Sequence, residues 1–408
     1  MSTQLRRAKE GSFAMSADRN NQHAIDAEGA MLSREDNELL VRTGPGTAAG
    51  ALFRRFWTPV LLAAELDGRD RARVDVLGER LVAVRDADDT IVLVEASPRR
   101  ATGRSVVYPA RERGGLIWAY LGPADTPPPF PAIELFDHGA PADRRHFTKI
   151  IMKGNWLQQM EGDVDSSHVS FLHSRLDGAP LPGSRVDASA FVDRSPRWFP
   201  SETPYGLMLA AQRDFGASAF HWRVNQFLLP YMTLIASPPG VPLQANVRVP
   251  IDDETTLFFR CYYHPDRALS AEERATFANG VLVPELLPGT FDMVESIEND
   301  YLIDREAQRT QTFTGIRSIP AQDLACTQDQ GGGWIADRSR ELLVSSDRAI
   351  ILLRKRFLTL VKALQDGVEP AEPNDAAAYR VRPAAFSLDR DVPLSAAVVE
   401  SRALAAVR

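Results

Sequence analysis

The chain has 408 residues, 44% of them hydrophobic and 25% charged, and a net charge of −7. That length exceeds one ordinary core and points to two domains, and the balance excludes fibrous and largely disordered classes. The 47 basic residues are dispersed, which argues against a nucleic-acid partner, and no apolar run approaches the roughly 20 residues that cross a bilayer. Residues 1–30 are polar, lack the apolar stretch of a signal peptide, and read as a disordered leader of a cytoplasmic protein.

Ser33, with Asp36 three residues on, opens a short helix by capping logic, and Gly44-Pro45-Gly46 stops it. Ala48 to Trp57 reads as a second amphipathic helix. From Arg71 the period changes to that of strands, at 71–77, 80–85, 90–94 and 115–121, separated by Gly or Asp turns. Pro127-Pro-Pro-Phe-Pro131 is a stiff linker, so the first domain is set at 31–131. The second, 132–367, starts with a strand at 146–152 and a helix from Asn155. Strands follow near 205–213, 219–228, 231–237, 243–250 and 255–263. Ser270-Ala-Glu-Glu273 caps a helix, and two more are expected at 290–310 and 339–366, the last ended by Gly367. Strands in one block flanked by helices indicate an antiparallel α+β fold. Residues 368–408 lose periodicity and read as a tail.

The chemistry concentrates in Asp165-Ser-Ser-His168-Val-Ser-Phe-Leu-His173. Neutral imidazoles are the commonest transition-metal ligands, but residues five apart on an ideal helix differ by about 140°. The pair reaches one ion only if the helix is bulged or ends between them; otherwise one ring is packed and the other exposed. Asp165 is placed to orient the His168 ring. A carboxylate from elsewhere would complete a facial triad suited to non-haem iron, and Glu295 to Glu306 offers Asp300 and Asp304 on one helical face.

The segment from Asn155 to His173 resembles the iron-binding segment of Rieske non-haem iron oxygenases, specifically the phthalate 4,5-dioxygenase-like α-subunits. The likeness extends to Glu35–Gly46, Arg111–Tyr120, Val249–Glu254, Glu298–Arg309 and Phe313–Ile316. It implies a β-rich Rieske-like domain followed by a helix-grip-like catalytic domain with long C-terminal helices. It also implies Fe(II) held by His168, His173 and Asp300, with Asp304 as the fallback. By the same likeness Asp165 links the iron site to a neighbouring subunit's Rieske centre, and Asn155 opens the segment, where a helix N-cap is the simpler role. A trimer, homomeric or mixed, is implied as well.

The chain departs from that family where the cluster belongs. A Rieske centre needs two Cys and two His, supplied in the family as Cys-x-His and Cys-x-x-His. Here Ser97-Pro-Arg99 stands in place of the first pair, the second is missing, no Cys precedes Cys261 and no His lies between 24 and 137. The expectation is a vestigial first domain without a [2Fe–2S] cluster. Cys261-Tyr-Tyr-His264 has one of the spacings but no companion, and reads as a strand Cys with a turn His. Gly331-Gly-Gly333 lacks the Lys-Ser/Thr of a phosphate loop. Arg197, Arg213 and Arg223 are candidates to fork onto a substrate carboxylate. The reading is an oxygenase for a small aromatic or cyclic substrate, supplied with electrons by a ferredoxin and reductase or a cluster-bearing sister subunit. An iron enzyme working without external electrons and a non-catalytic binding subunit are the alternatives.

Overall fold

The computed structural model describes residues 32–96, 106–123, 127–137, 141–184 and 188–395. Two short helices come first, α1 (Arg34–Val41) and α2 (Ala48–Phe53). The Ser33 hydroxyl accepts the Asp36 N–H at 3.0 Å and the Thr47 hydroxyl accepts the Gly50 N–H at 3.2 Å, satisfying donors that a helix start leaves open. α2 ends before the predicted Trp57, because Arg55 and Phe56 bond back three residues and tighten the chain out of the helix. Trp57 instead begins a strand.

The first sheet holds β1 (Trp57–Leu62), β2 (Arg71–Val76), β3 (Glu79–Arg85), β4 (Ile91–Glu95), β5 (Val107–Arg113) and β6 (Leu116–Tyr120), in the order β1-β6-β5-β4-β3-β2. On β2, Val74 and Val76 are buried while Arg71 and Arg73 face solvent, the period-two signature of a half-covered sheet. The Ser97-Pro-Arg99 stretch lies outside the described residues, as does the leader.

The second sheet is built from β7 (Arg145–Lys153), β8 (Arg197–Thr203), β9 (Gly206–Phe215), β10 (Ala219–Leu228), β11 (Met232–Ile235), β12 (Leu243–Pro250) and β13 (Thr255–Tyr263), ordered β7-β13-β12-β11-β10-β9-β8, with β14 (Ala384–Asp389) on β10. Helices α3 (Trp156–Val164), α4 (Val169–Leu172), α5 (Ala271–Phe277), α6 (Arg305–Thr310), α7 (Ile319–Thr327) and α8 (Arg348–Gln365) accompany it. The α+β expectation holds. Phe357 of α8 packs edge-on against Phe53, Trp156 and Phe227 at 5.9, 5.2 and 5.8 Å, so one ring ties α2, α3 and the sheet together.

The two sheets share this core. Leu77 and Gly78, in the turn after β2, donate to the carbonyls of Pro250 and Ile251 after β12 at 2.9 and 2.7 Å. Gly78 is left-handed (φ +74), and a Cβ there would stand 3.0 Å from Gly44 Cα, so glycine alone permits the approach. Lys149 on β7 bonds both oxygens of Glu65 at 2.8 Å.

Three further expectations are corrected. Residues 290–310 do not form one helix: a 3₁₀ turn over Ile297–Leu302 contains left-handed Asp300, Tyr301 and Leu302, and Asp304 then caps α6. The final helix starts at Arg348 rather than 339, after two separate 3₁₀ turns. The segment after Gly367 is docked through its described length: β14 lengthens the sheet, Arg380 pairs with Asp137, and Arg382 pairs with Glu134.

α3 is buried almost from end to end, charges included. Glu161 bonds Arg338 through both oxygens at 3.0 Å and Arg354 at 2.7 Å. Burial alone would raise its pKa, but the two guanidiniums hold it below the usual carboxylate value. Glu161→Gln should destabilise the fold by roughly 3 kcal/mol, because it leaves buried Arg338 without a carboxylate and Arg354 with Glu341 alone. A carboxylate depressed in the folded state contributes stability above its unfolded pKa and loses it as pH falls through the folded value. Urea denaturation of wild type should therefore show an acid-dependent loss that is smaller in the variant.

Candidate metal centre

The segment that carries the two histidines begins where α3 ends. Asp165 is the C-cap of α3, and its carboxylate turns back to accept the N–H of Ser167 at 2.6 Å and of His168 at 3.0 Å. His168 is the N-cap and His173 the C-cap of four-residue α4. The helix thus ends between the rings, one of the two conditions under which a spacing of five lets them converge. The ring centroids lie 5.1 Å apart, nearly perpendicular.

Both rings present Nε2 to Asp323 on α7, at 3.0 Å from His173 and 3.7 Å from His168 to the same Oδ1. Gln322, its neighbour on α7, fixes one tautomer. Its Nε2 donates to the Ile316 carbonyl at 2.8 Å, so its Oε1 must accept, and it lies 2.8 Å from His173 Nδ1. A proton on His173 therefore sits on Nδ1, which leaves Nε2, 3.0 Å from Asp323 Oδ1, as the nitrogen turned toward the carboxylate and available to a metal. His168 Nδ1 lies 3.3 Å from Asp165 Oδ2, a close charge contact without an aligned hydrogen bond.

Burial opposes charge on His168, but Asp165, then Asp323 and Asp163, outweigh it and raise the imidazole above its ordinary value. Burial likewise works against ionised Asp323, yet His173 first, then His168 and Arg248, bring it down to about 2. A proton drawn to this spot marks a place where a cation is favourable. One donor atom from each of His168, His173 and Asp323 lies within 4.8 Å of the others. Metal bonds of about 2.1 Å put adjacent ligand atoms about 3 Å apart, so the residues present fit a divalent ion with open positions on one side.

The centre faces a polar cavity between α3, α7 and the sheet, bounded in part by Ser166, Arg223, Asn225, Gln244, Asn246 and Arg260. Asp165, His168 and Asp323 also line a second cavity, on the outer side, with Phe171, Phe313 and Leu342.

Asp300 is not brought to the imidazoles. It is left-handed, its side chain is 71% exposed, and it pairs with Arg305 at 2.6 Å. Asp304 spends its carboxylate capping α6. The carboxylate that meets the two imidazoles is instead Asp323, a residue the sequence reading missed. Ser318-Ile-Pro320 was its signal, an N-cap with Pro in the first turn. Asn155 sits away from the metal-facing cluster as the N-cap of α3, its amide bonded to the Val41 and Asp253 carbonyls at 3.0 and 2.7 Å. Of the three arginines, only Arg223 lines the polar cavity. Arg213 is fully buried against Ser166 and the Asp193 carbonyl, where burial, then Arg223, push it down to about 9. Arg197 is half-exposed on β8, bonded to Gln212 and Asp214. Cys261 is buried on β13, and His264 accepts the N–H groups of Asp266 and Arg267 in the following turn.

Residues 119–387 match the family described as LigXa C-terminal domain like. The phthalate 4,5-dioxygenase oxygenase subunit of Pseudomonas putida is 32% identical, over 83% of this chain and 88% of that protein. The 3-chlorobenzoate-3,4-dioxygenase oxygenase subunit of Comamonas testosteroni is 28% identical, over 86% and 93%. In fold the chain is similar to NdmB of Pseudomonas putida CBB5, at a TM-score of 0.51 and 13% identity over 83% of this chain and 97% of that one. The chain belongs to the α-subunits of Rieske non-haem iron oxygenases, the group that includes the phthalate dioxygenase oxygenase subunits. By that membership it is an oxygenase-type oxidoreductase.

Replacing a ligand should cost more iron affinity than the roughly 10–100-fold typical of an outer partner. His168→Ala, His173→Ala and Asp323→Asn should exceed that range, Gln322→Leu should fall within it, and Asp300→Asn should leave affinity unchanged. Competitive chelation with Fe(II) checks the series. Normal binding by Asp323→Asn alongside loss in Asp300→Asn would reverse the assignment.

Proposed function

We propose that this chain is the iron-bearing oxygenase component for an aromatic, carboxylated small molecule, drawing its electrons from an iron–sulfur centre on another polypeptide. The observation that carries this is a mismatch. The three donors of a mononuclear site converge, while the whole sequence holds two cysteines, both in the half of the chain that builds the second sheet and its helices. A Rieske centre needs a Cys pair and a His pair close together. The substrate class is supported by the relatives, whose names are those of phthalate and 3-chlorobenzoate dioxygenase subunits.

Fe(II) held by His168, His173 and Asp323 would supply the activation of dioxygen. The chain's own residues do the rest. Gln322 keeps the His173 proton on Nδ1, and α7 carries both Gln322 and Asp323, so one rigid element sets a ligand and its neighbour's tautomer. Asp165 accepts the His168 backbone N–H, lies 3.3 Å from the ring Nδ1, and lines both the inner cavity and the outer one. The exposed Phe171, Phe313 and Leu342 at the outer cavity suit the approach of an electron donor, a ferredoxin or a sister subunit within a mixed trimer.

Inserting one oxygen atom while the other leaves as water consumes two electrons and two protons from outside the substrate, as does adding both atoms to a ring as a cis-diol. With NADH, a simple flavin reductase and an aromatic acid, the iron-loaded chain should therefore give little product. Adding a ferredoxin or a cluster-bearing sister subunit should restore NADH-coupled turnover, and His168→Ala should abolish it. Product formed with iron alone and unaffected by NADH would favour cluster-independent chemistry. Substrate binding without product under either condition would favour a binding subunit.

A further inference from the structure

Seven basic side chains are buried among the described residues: Lys149, Arg213, Arg223, Arg248, Arg260, Arg338 and Arg354. Removing a cation from water costs several kcal/mol unless partners replace its hydration, and six of the seven have them. Lys149 meets Glu65, Arg248 meets Asp163, and Arg338 and Arg354 share Glu161. Arg213 and Arg223 donate to Ser166 and to backbone carbonyls.

Arg260 differs. It is 5% exposed, sits on β13 opposite Asn246 and Thr148, and lines the polar cavity that holds the two imidazoles and Asp323. Its Nε has no hydrogen-bond partner, and no described carboxylate lies within 4.0 Å of its guanidinium. The nearest compensation is the Tyr262 ring, 5.8 Å from Cζ, at the limit of a cation–π contact. Asp163, also on that cavity, is already engaged: Asn246 and Arg248 donate to one oxygen at 2.7 and 3.0 Å, and Arg248 donates to the other at 2.8 Å. Asn225, on the same cavity, accepts the Ala236 N–H through Oδ1 at 2.8 Å, which leaves its NH₂ as a further donor.

We propose that Arg260 is the specificity residue that anchors the substrate's carboxylate, its guanidinium fork supplying the charge-assisted hydrogen bonds that no group among the described residues accepts. This rests on the reading above that the cavity takes an aromatic acid. The anchor fixes one end of a planar ring while the metal-facing side of the cavity takes the carbon to be oxidised. A buried cation left without a protein partner selects against neutral analogues, since these leave it desolvated and unpaired.

Calorimetry on the iron-loaded full chain, kept anaerobic, with benzoate, phthalate and benzamide as probes, tests this. Wild type should bind a carboxylate at least 10-fold more tightly than benzamide. Arg260→Met should weaken the carboxylates by roughly 10- to 100-fold and leave benzamide unchanged. The variant should unfold at the same or a higher temperature than ligand-free wild type, whereas an arginine serving the fold would lower it. Carboxylates should raise the wild-type midpoint and not the variant's. Should Arg260→Met fail to fold, Arg260→Lys, which keeps the charge and loses the fork, should weaken the carboxylates 3- to 10-fold. Equal affinity for acid and amide, no carboxylate binding by wild type, or carboxylate affinity unchanged in the variants overturns the proposal. The iron reading fails separately, by absence of bound iron in the same samples, and Arg260-dependent binding would survive that failure.

Discussion

The site depends on one constraint: two imidazoles a single short helical turn apart must meet a carboxylate delivered from a different helix. α4 has four residues, so His168 and His173 lie at its two ends, and α7 brings Asp323 to both. Neither element would be stable alone. α7 rests on α3 and on the 3₁₀ turn over Ile297–Leu302, while α4 is tied to α3 by Asp165. The donors are therefore placed by packing rather than by local sequence, and α3 is the common support.

α3 holds that position through buried charge. Its apolar residues Trp156, Leu157, Met160 and Val164 enter the core, while Glu161 and Asp163 point at arginines from α8, the sheet and the turn at Arg338. Such pairs add little net stability over apolar substitutes, but each is costly to break. A slip of α3 by one position would strand several ions together, so the pairs fix its register and with it the start of the histidine segment. Arg260, close by on β13, is the exception to that pairing, which is why it reads as part of the cavity's chemistry.

Much of this was legible in the sequence. Period-two patterns located β2–β4, strand-like runs between Gly, Pro and Asp turns located β9–β13, and the capping residues Ser33, Asn155 and Ser270 mark true helix starts. The convergence of the two histidines depends on a helix that ends between them, and α4 does so, bringing the ring centroids within 5.1 Å. Asp323 was not legible, because the acid-rich run from Glu295 to Glu306 looked like the better helix. That run breaks at three consecutive left-handed residues and faces solvent, whereas α7 is short and offers weak amphipathic signal. β1 and β14 were missed for a related reason: an amphipathic reading absorbed Trp57, and β14 is defined by its pairing with β10, a contact made across 150 residues or more of chain.

On the proposed function, this chain carries one mononuclear iron on two imidazoles and a carboxylate, and no cluster of its own. X-ray absorption at the iron edge of the full chain, loaded with iron and sulfide under reconstitution conditions, tests it most directly. The expected spectrum shows a nearest shell of nitrogen and oxygen with imidazole outer scattering, neither sulfur nor a second iron nearby, and loss of the imidazole signal in His168→Ala. A sulfur shell with a short iron–iron vector would contradict it.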